Sequence, residues 1–208
     1  TNICIYLIKE QPASVLDRLE AGLKGEVEET LKPGDRVFTR VTNLVIGNNA
    51  LITDAAVSAA ERLGYRPHFL PRELQGEARQ VASELVERAR ALEPPACLVA
   101  GGETTVTVKG RGKGGRCQEF ALAAALEFRA SDGLTVLAAG TDGTDGPTDA
   151  AGAIVDGSTV GRGKAAGADP ERALADNDAY GFLRASGDLL VSGPTNTNLL
   201  DLYLILRS

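Results

Sequence analysis

The sequence predicts an α/β fold, and three observations carry that prediction. Short apolar runs of strand length alternate with longer amphipathic stretches of helical period. The 208 residues contain 24 glycines, 43% hydrophobic side chains, only 4% aromatic ones and no Trp, a composition suited to helices packed closely on a sheet. Several apolar runs open into loops rich in Gly, Asp, Thr and Asn, and in open α/β sheets ligands gather where strands run into such loops.

The opening, 1–31, mixes an apolar start with an amphipathic stretch over 13–23 and offers little core of its own. Lys32-Pro33-Gly34-Asp35 then forces a turn. The alternating run 37–46, ending Leu44-Val45-Ile46, predicts a strand. Gly47-Asn48-Asn49 supplies a turn, and a helix should follow to Leu63, closed by Gly64. Residues 66–70 read as the next strand and 77–92 as a charged amphipathic helix. Pro94-Pro95 breaks the pattern and divides the chain into an expected domain of 1–95 and a second of 96–208. The second begins with a buried strand over 96–100, followed by a β-branched strand over 104–108, a glycine and cation loop over 109–115, and a helix over 116–128. Further strands are expected at 134–139, 153–155, 189–191 and 200–206, with a short helix over 180–184. No solenoid repeat or low-complexity tail interrupts this order.

Charge and composition limit the function. A net charge of −6 excludes a general affinity for nucleic acid or an anionic membrane surface, because phosphate backbones need a basic footprint. No apolar run is long enough to span a bilayer, so the cytoplasm is the expected compartment. Cys4, Cys97 and Cys117 lack the paired spacing of a zinc or redox motif and read as reduced thiols.

Four loops carry candidate chemistry. Gly101-Gly102-Glu103-Thr104-Thr105 places glycines where a ligand could approach the backbone, although a Gly-Gly pair is also an ordinary tight turn. In Lys109-Gly110-Arg111-Gly112-Lys113-Gly114-Gly115-Arg116, four cations and four glycines precede a helix, whose free N–H groups would suit phosphate. Arg116 sits where a cation opposes the helix dipole, so a nearby anion is expected. Thr141-Asp142-Gly143-Thr144-Asp145 and the residues to Gly152 hold three carboxylates, of which Asp142 and Asp145 are candidate Mg²⁺ ligands; the same residues also suit a capped turn. Gly193-Pro194-Thr195-Asn196-Thr197-Asn198 adds short hydrogen-bonding side chains. One shared pocket is the simplest arrangement of the four. Two weaker signals are discounted: Gly161-Arg162-Gly163-Lys164 lacks the context of a dinucleotide loop, and His68, the lone histidine, has no triad partners and reads as structural.

These loops, with Gly114-Gly115-Arg116-Cys117-Gln118-Glu119 and Asp201, resemble the carboxyl-terminal half of the glycerate kinases that carry a MOFRL domain. The resemblance covers about 96–206, and 33–79 is similar to the end of that family's amino-terminal domain. It implies a MOFRL-type α/β domain preceded by the trailing part of a Rossmann-like domain, and ATP-dependent phosphorylation of D-glycerate to 2-phosphoglycerate with Mg²⁺. Some relatives are labelled hydroxypyruvate reductases, so a nicotinamide-dependent reductase is the alternative, and a non-catalytic ligand-binding piece is a second. From the charge of these loops together with the resemblance, Arg116, Lys113 and Glu119 are the expected catalytic residues. Gly101, Gly102, Glu103, Thr104, Gly114, Gly115, Thr141, Thr195, Asn196 and Asn198 would bind substrate or phosphate, and Asp142 and Asp145 the metal. Cys117 stands where the family usually has Asn. The family also carries about 200 further residues upstream, so the expected partners are D-glycerate, ATP and that upstream half, with a homodimer as one possible assembly.

Overall fold

The structure, a computed structural model, describes residues 13–70, 74–129 and 131–208; the apolar start and Cys4 lie outside them. The chain divides into two compact units, Thr1–Val45 and Ile46–Ser208.

In the first unit, the amphipathic stretch forms helix α1 (Ala13–Leu23), none of whose residues is buried. The expected strand over 37–46 does not form. Its first half is a 3₁₀ turn, Arg36–Arg40, closed by the Val41 N–H to the Phe38 carbonyl at 3.0 Å. Its second half, Leu44 to Ile46, is exposed without regular structure. Alternation makes a strand only beside a hydrogen-bonding edge, and no described strand pairs with this segment.

The second unit is one mixed sheet with helices on it. Its elements run α2 (Asn49–Arg62), β1 (Arg66–Phe69), α3 (Ala78–Arg90), β2 (Ala96–Gly102), α4 (Arg116–Glu127), β3 (Leu134–Gly140) and β4 (Gly152–Asp156). Then follow α5 (Thr159–Ala165), α6 (Pro170–Ala175), α7 (Ala179–Ser186), β5 (Leu189–Leu190) and β6 (Asp201–Arg207). The sheet order is β1-β2-β6-β3-β4-β5; β1 and β2 are parallel and every other pair is antiparallel. The sheet is therefore continuous across Pro94-Pro95.

Period-2 alternation sorts the strand side chains between two faces. Leu98 and Ala100 of β2 and Tyr203 and Ile205 of β6 join α3, α4 and α7 in the main core. Cys97 and Val99, on the opposite face, pack with Ala60 of α2 and with Leu202, Leu204 and Leu206. β2 is thus covered on both faces and wholly buried, whereas β3 alternates buried and half-buried positions. α4 is buried from Cys117 to Ala125, its run of alanines allowing close approach to its neighbours.

The expected strand over 104–108 is also absent. β1 and β6 already occupy both edges of β2, so after Gly102 the chain leaves the sheet. It touches the segment before α3 through two isolated bridges, Leu74 with Gly102 and Glu77 with Thr105. Cys97 and Cys117 are unpaired and buried, and His68 is exposed on β1. The Gly161–Ala166 stretch begins inside α5, where a Cβ on Gly163 would lie 2.2 Å from the Phe182 ring; this glycine serves helix packing. No helix among the described residues is long and apolar enough to cross a membrane.

Candidate functional site

Strand register builds the site. Asp201, the first residue of β6, pairs with Gly102 at the carboxyl end of β2 and with Gly140 at the carboxyl end of β3. Two strand ends and one strand start therefore meet at a single edge of the sheet, and α4 begins beside it.

Arg116 is the first residue of α4. Its Nε donates to Asp201 Oδ2 at 2.6 Å and its Nη2 to Oδ1 at 3.0 Å, a bidentate fork. Its Nη1 forms an ion pair with Glu103 Oε1 at 2.7 Å. Asp201 is only 1% exposed, while Glu103 is half exposed. The hydrogen bonds to Asp201 push the Arg116 pKa up, so the guanidinium is a permanent cation. The anion expected to relieve a cation at a helix start is thus supplied by the protein's own carboxylates.

Asp145 fills the rest of that helix terminus. Its Oδ1 accepts the Cys117 N–H at 3.1 Å and its Oδ2 the Gln118 N–H at 2.8 Å, satisfying two donors left over at a helix start. Gln118 returns the contact by donating from Nε2 to the Asp145 carbonyl at 3.0 Å. Gly115 makes room for this cap: a Cβ there would lie 2.3 Å from the carboxylate. Burial pushes the Asp145 pKa up to about 6, against the pull of the two N–H donors.

A cleft of about 900 Å³ opens over these groups. It is lined by Leu74 to Gly76, Glu103 to Val106, Gly115, Arg116, Asp145, Gly146 and Leu200. Leu200 holds a left-handed backbone, φ 66°, a strained state for a large branched residue and one that clusters at functional sites. Of the expected site residues, Glu103, Thr104, Gly115, Arg116 and Asp145 share this cleft. The Thr104 hydroxyl points inward, to Tyr203 Oη at 3.0 Å.

The others lie elsewhere. Gly101 faces α2: a Cβ there would fall 1.9 Å from Asn49 Oδ1, and the Asn49 amide donates to the Leu199 and Asp201 carbonyls at 2.7 and 3.1 Å. Gly102 ends β2 at φ 146°. Glu119 is buried, accepting from Arg79 Nε at 2.6 Å and Asn177 Nδ2 at 3.1 Å. Asp142 Oδ1 accepts the Thr144 N–H at 3.0 Å. Thr141, Thr195 and Asn198 stitch two loops together. The Thr195 hydroxyl donates to the Thr141 carbonyl at 2.6 Å, the Thr141 hydroxyl to the Leu200 carbonyl at 2.7 Å, and Asn198 Oδ1 accepts the Leu200 N–H at 3.0 Å. Asn196 is exposed, with φ 59°.

The basic loop departs most from expectation. From Lys109 to Lys113 its backbone donors are taken by residues 176–178. The Lys109 and Gly110 N–H groups bond Asn177 Oδ1, those of Arg111 and Lys113 bond Asp176 and Asp178 carboxylates, and that of Gly112 the Asp176 carbonyl. Lys113 is exposed with its Nζ 4.7 Å from the centre of the Tyr180 ring. Gly114, half-buried, stands between this loop and the cap, its carbonyl close against Gly146.

Among the described residues no group of three His, Cys, Asp or Glu could hold a metal ion. Both oxygens of Asp145 accept N–H donors, and so does one oxygen of Asp142. Sequence reasoning named Asp201 among the residues of the resemblance but gave it no role at the site. Its signal is a carboxylate opening an apolar strand at a position of the buried face.

Residues 96–201 match the model of the MOFRL family. The chain is 44% identical over 204 residues to a glycerate 2-kinase of Pyrococcus horikoshii, a match covering 94% of this chain and 46% of that protein. The crystal structure of a glycerate kinase from Thermotoga maritima superposes with a TM-score of 0.77 at 41% identity, covering 92% of this chain and 50% of that one. A protein of Agrobacterium vitis described as a putative hydroxypyruvate reductase is 37% identical over 171 residues, 78% of this chain and 44% of that protein. The chain spans about half the length of the curated relatives it matches.

Proposed function

The chain belongs to the MOFRL family, and from that premise we propose that it is the carboxyl-terminal part of a glycerate kinase that uses ATP to phosphorylate D-glycerate, with 2-phosphoglycerate as product. One observation carries the reading: a permanent cation, Arg116, is held on a buried carboxylate at the floor of a cleft large enough for a phosphorylated substrate. The names of the relatives supply the substrate, and the cleft supplies a chemistry that agrees with it.

Phosphoryl transfer joins a glycerate hydroxyl oxygen to the γ-phosphorus while the bond to the β,γ-bridging oxygen breaks and ADP leaves. Such a reaction asks the protein for positioning and charge stabilisation more than for covalent chemistry. Arg116 Nη1 would meet an anionic oxygen of phosphate or of the glycerate carboxylate, displacing Glu103. Glu103, released, would accept a hydrogen bond from the substrate hydroxyl and take its proton as the bond to phosphorus forms. Gly115 and Thr104 line the same cleft and would bound the substrate.

Asp145 is read as the cap that aims α4, and Glu119 as the buried partner of Arg79. Lys113 is read as a surface cation with no part in transfer. Mg²⁺ would travel with the nucleotide phosphates, because the described residues do not form a cage for it. The upstream half of the longer relatives is read as the source of the remaining cleft.

Phosphorus NMR of the intact protein with ATP, Mg²⁺ and D-glycerate tests the proposal. A 2-phosphoglycerate signal growing with ADP supports it, and 3-phosphoglycerate would correct the product. Nucleotide binding without any transfer would favour a non-catalytic domain, and oxidation of a nicotinamide cofactor a reductase.

A further inference from the structure

An arginine side chain has four rotatable bonds, and one that must meet an anion in a fixed place loses much of its value if it wanders. Here the guanidinium is held from behind. We propose that Asp201 is the positioning residue for Arg116, locking its Nε and Nη2 edge so that Nη1 alone is presented to the cleft. This inference rests on the kinase reading of that cleft.

Three layers of contact support it. The carboxylate uses both oxygens on Arg116, at 2.6 and 3.0 Å, and two strands flank it, with Gly102 on one side and Gly140 on the other. Behind it the Tyr203 hydroxyl donates to Asp201 Oδ2 at 3.1 Å. Tyr203 has one proton, so Thr104 is the donor in its 3.0 Å contact with the tyrosine oxygen. The tyrosine ring is itself fully buried and tilted against Phe120 at 4.6 Å between centroids. An unbroken line of contacts thus runs from the core through Tyr203 and Asp201 to Arg116.

Charge supports the same conclusion. Asp201 offsets the positive charge of Arg116, and Glu103 makes the trio net negative, so bulk attraction does not bring an anion to this spot. Directed N–H donors do, and their direction is what Asp201 sets.

The test is a double-mutant cycle on phosphoryl transfer by the full-length protein, using Arg116→Ala and Asp201→Asn. Asp201→Asn alone is expected to lower kcat/KM by roughly 10- to 100-fold. In the Arg116→Ala background the same change is expected to cost less than about 2-fold, because nothing is left to position. Equal losses in both backgrounds would overturn the proposal, as would wild-type kinetics for Asp201→Asn. If Asp201→Asn does not fold, Tyr203→Phe replaces it in the cycle, keeping the ring and removing only the hydroxyl; a loss of a few-fold confined to the Arg116 background is expected. Should the wild type show no transfer, the kinase reading fails separately. The assignment is then judged by the Arg116 Nε–H resonance: slow exchange with water that Asp201→Asn abolishes upholds it, and unchanged exchange overturns it.

Discussion

Arg116 and the basic loop over 109–114 lie side by side in the chain, and both read as anion sites in the sequence, yet the fold treats them oppositely. The loop is the richer in cations and glycines. Its N–H donors from Lys109 to Lys113, however, are consumed by Asp176, Asn177 and Asp178, and Lys113 rests over a half-buried tyrosine. Arg116 is anchored on a buried carboxylate beneath a cleft. The difference teaches that an anion site is made by fixing a donor in a concave place; the number of local cations matters less.

The hardest test of this contrast is Arg116→Ala in the intact protein. We expect kcat/KM to fall by roughly 10²- to 10³-fold, as for loss of a preorganised electrostatic donor, with the far-UV spectrum unchanged. Retained turnover would place the chemistry elsewhere.

The cap beneath Arg116 gives the next effect, read in stability against pH. The folded pKa of Asp145, about 6, lies above its ordinary value of 3.8. The folded state therefore holds this proton more tightly. The contribution of the group is complete below about pH 4 and is lost as pH rises through about 6, a change on the order of 3 kcal/mol. Urea unfolding of Asp145→Asn should lack this fall between pH 4 and 7; profiles parallel to wild type would remove Asp145 from the account.

Asn177→Ala probes the other side of the comparison. It strips the acceptor from the Lys109 and Gly110 N–H groups and a donor from Glu119. Thermal unfolding should show a loss of about 1–3 kcal/mol, as expected for orphaned buried groups, with kcat little changed. A collapse of kcat at unchanged stability would return the loop to the active site. The smallest effect belongs to Lys113→Ala, where kcat/KM should stay within about 2-fold of wild type and stability within about 0.5 kcal/mol. A tenfold loss would show that counting cations had been the better guide.

Much of the fold was legible because periodicity is local. The helices now α2, α3 and α4 and the strands β1 to β4 and β6 fall within a residue or two of their expected places. The two failures, at 37–46 and 104–108, are β-rich segments without a free strand edge beside them, a condition that hydropathy does not record. At the site, the oddity of Arg116 at a helix start was legible, and so were the glycine loops that end β2 and β3. The roles of Asp145 and Glu119 were not, since a carboxylate that caps a helix and one that binds a metal have the same letter in the sequence.

The amino-acid order by itself thus determined the class of fold, the place of most elements, and the presence of a cation at a helix start that required an anion. Only the tertiary structure decided which anion. β6, last in the chain, inserts between β2 and β3, and this pairing sets Asp201 against an arginine 85 residues away. Strand order depends on long-range burial and hydrogen bonding, which no local pattern encodes.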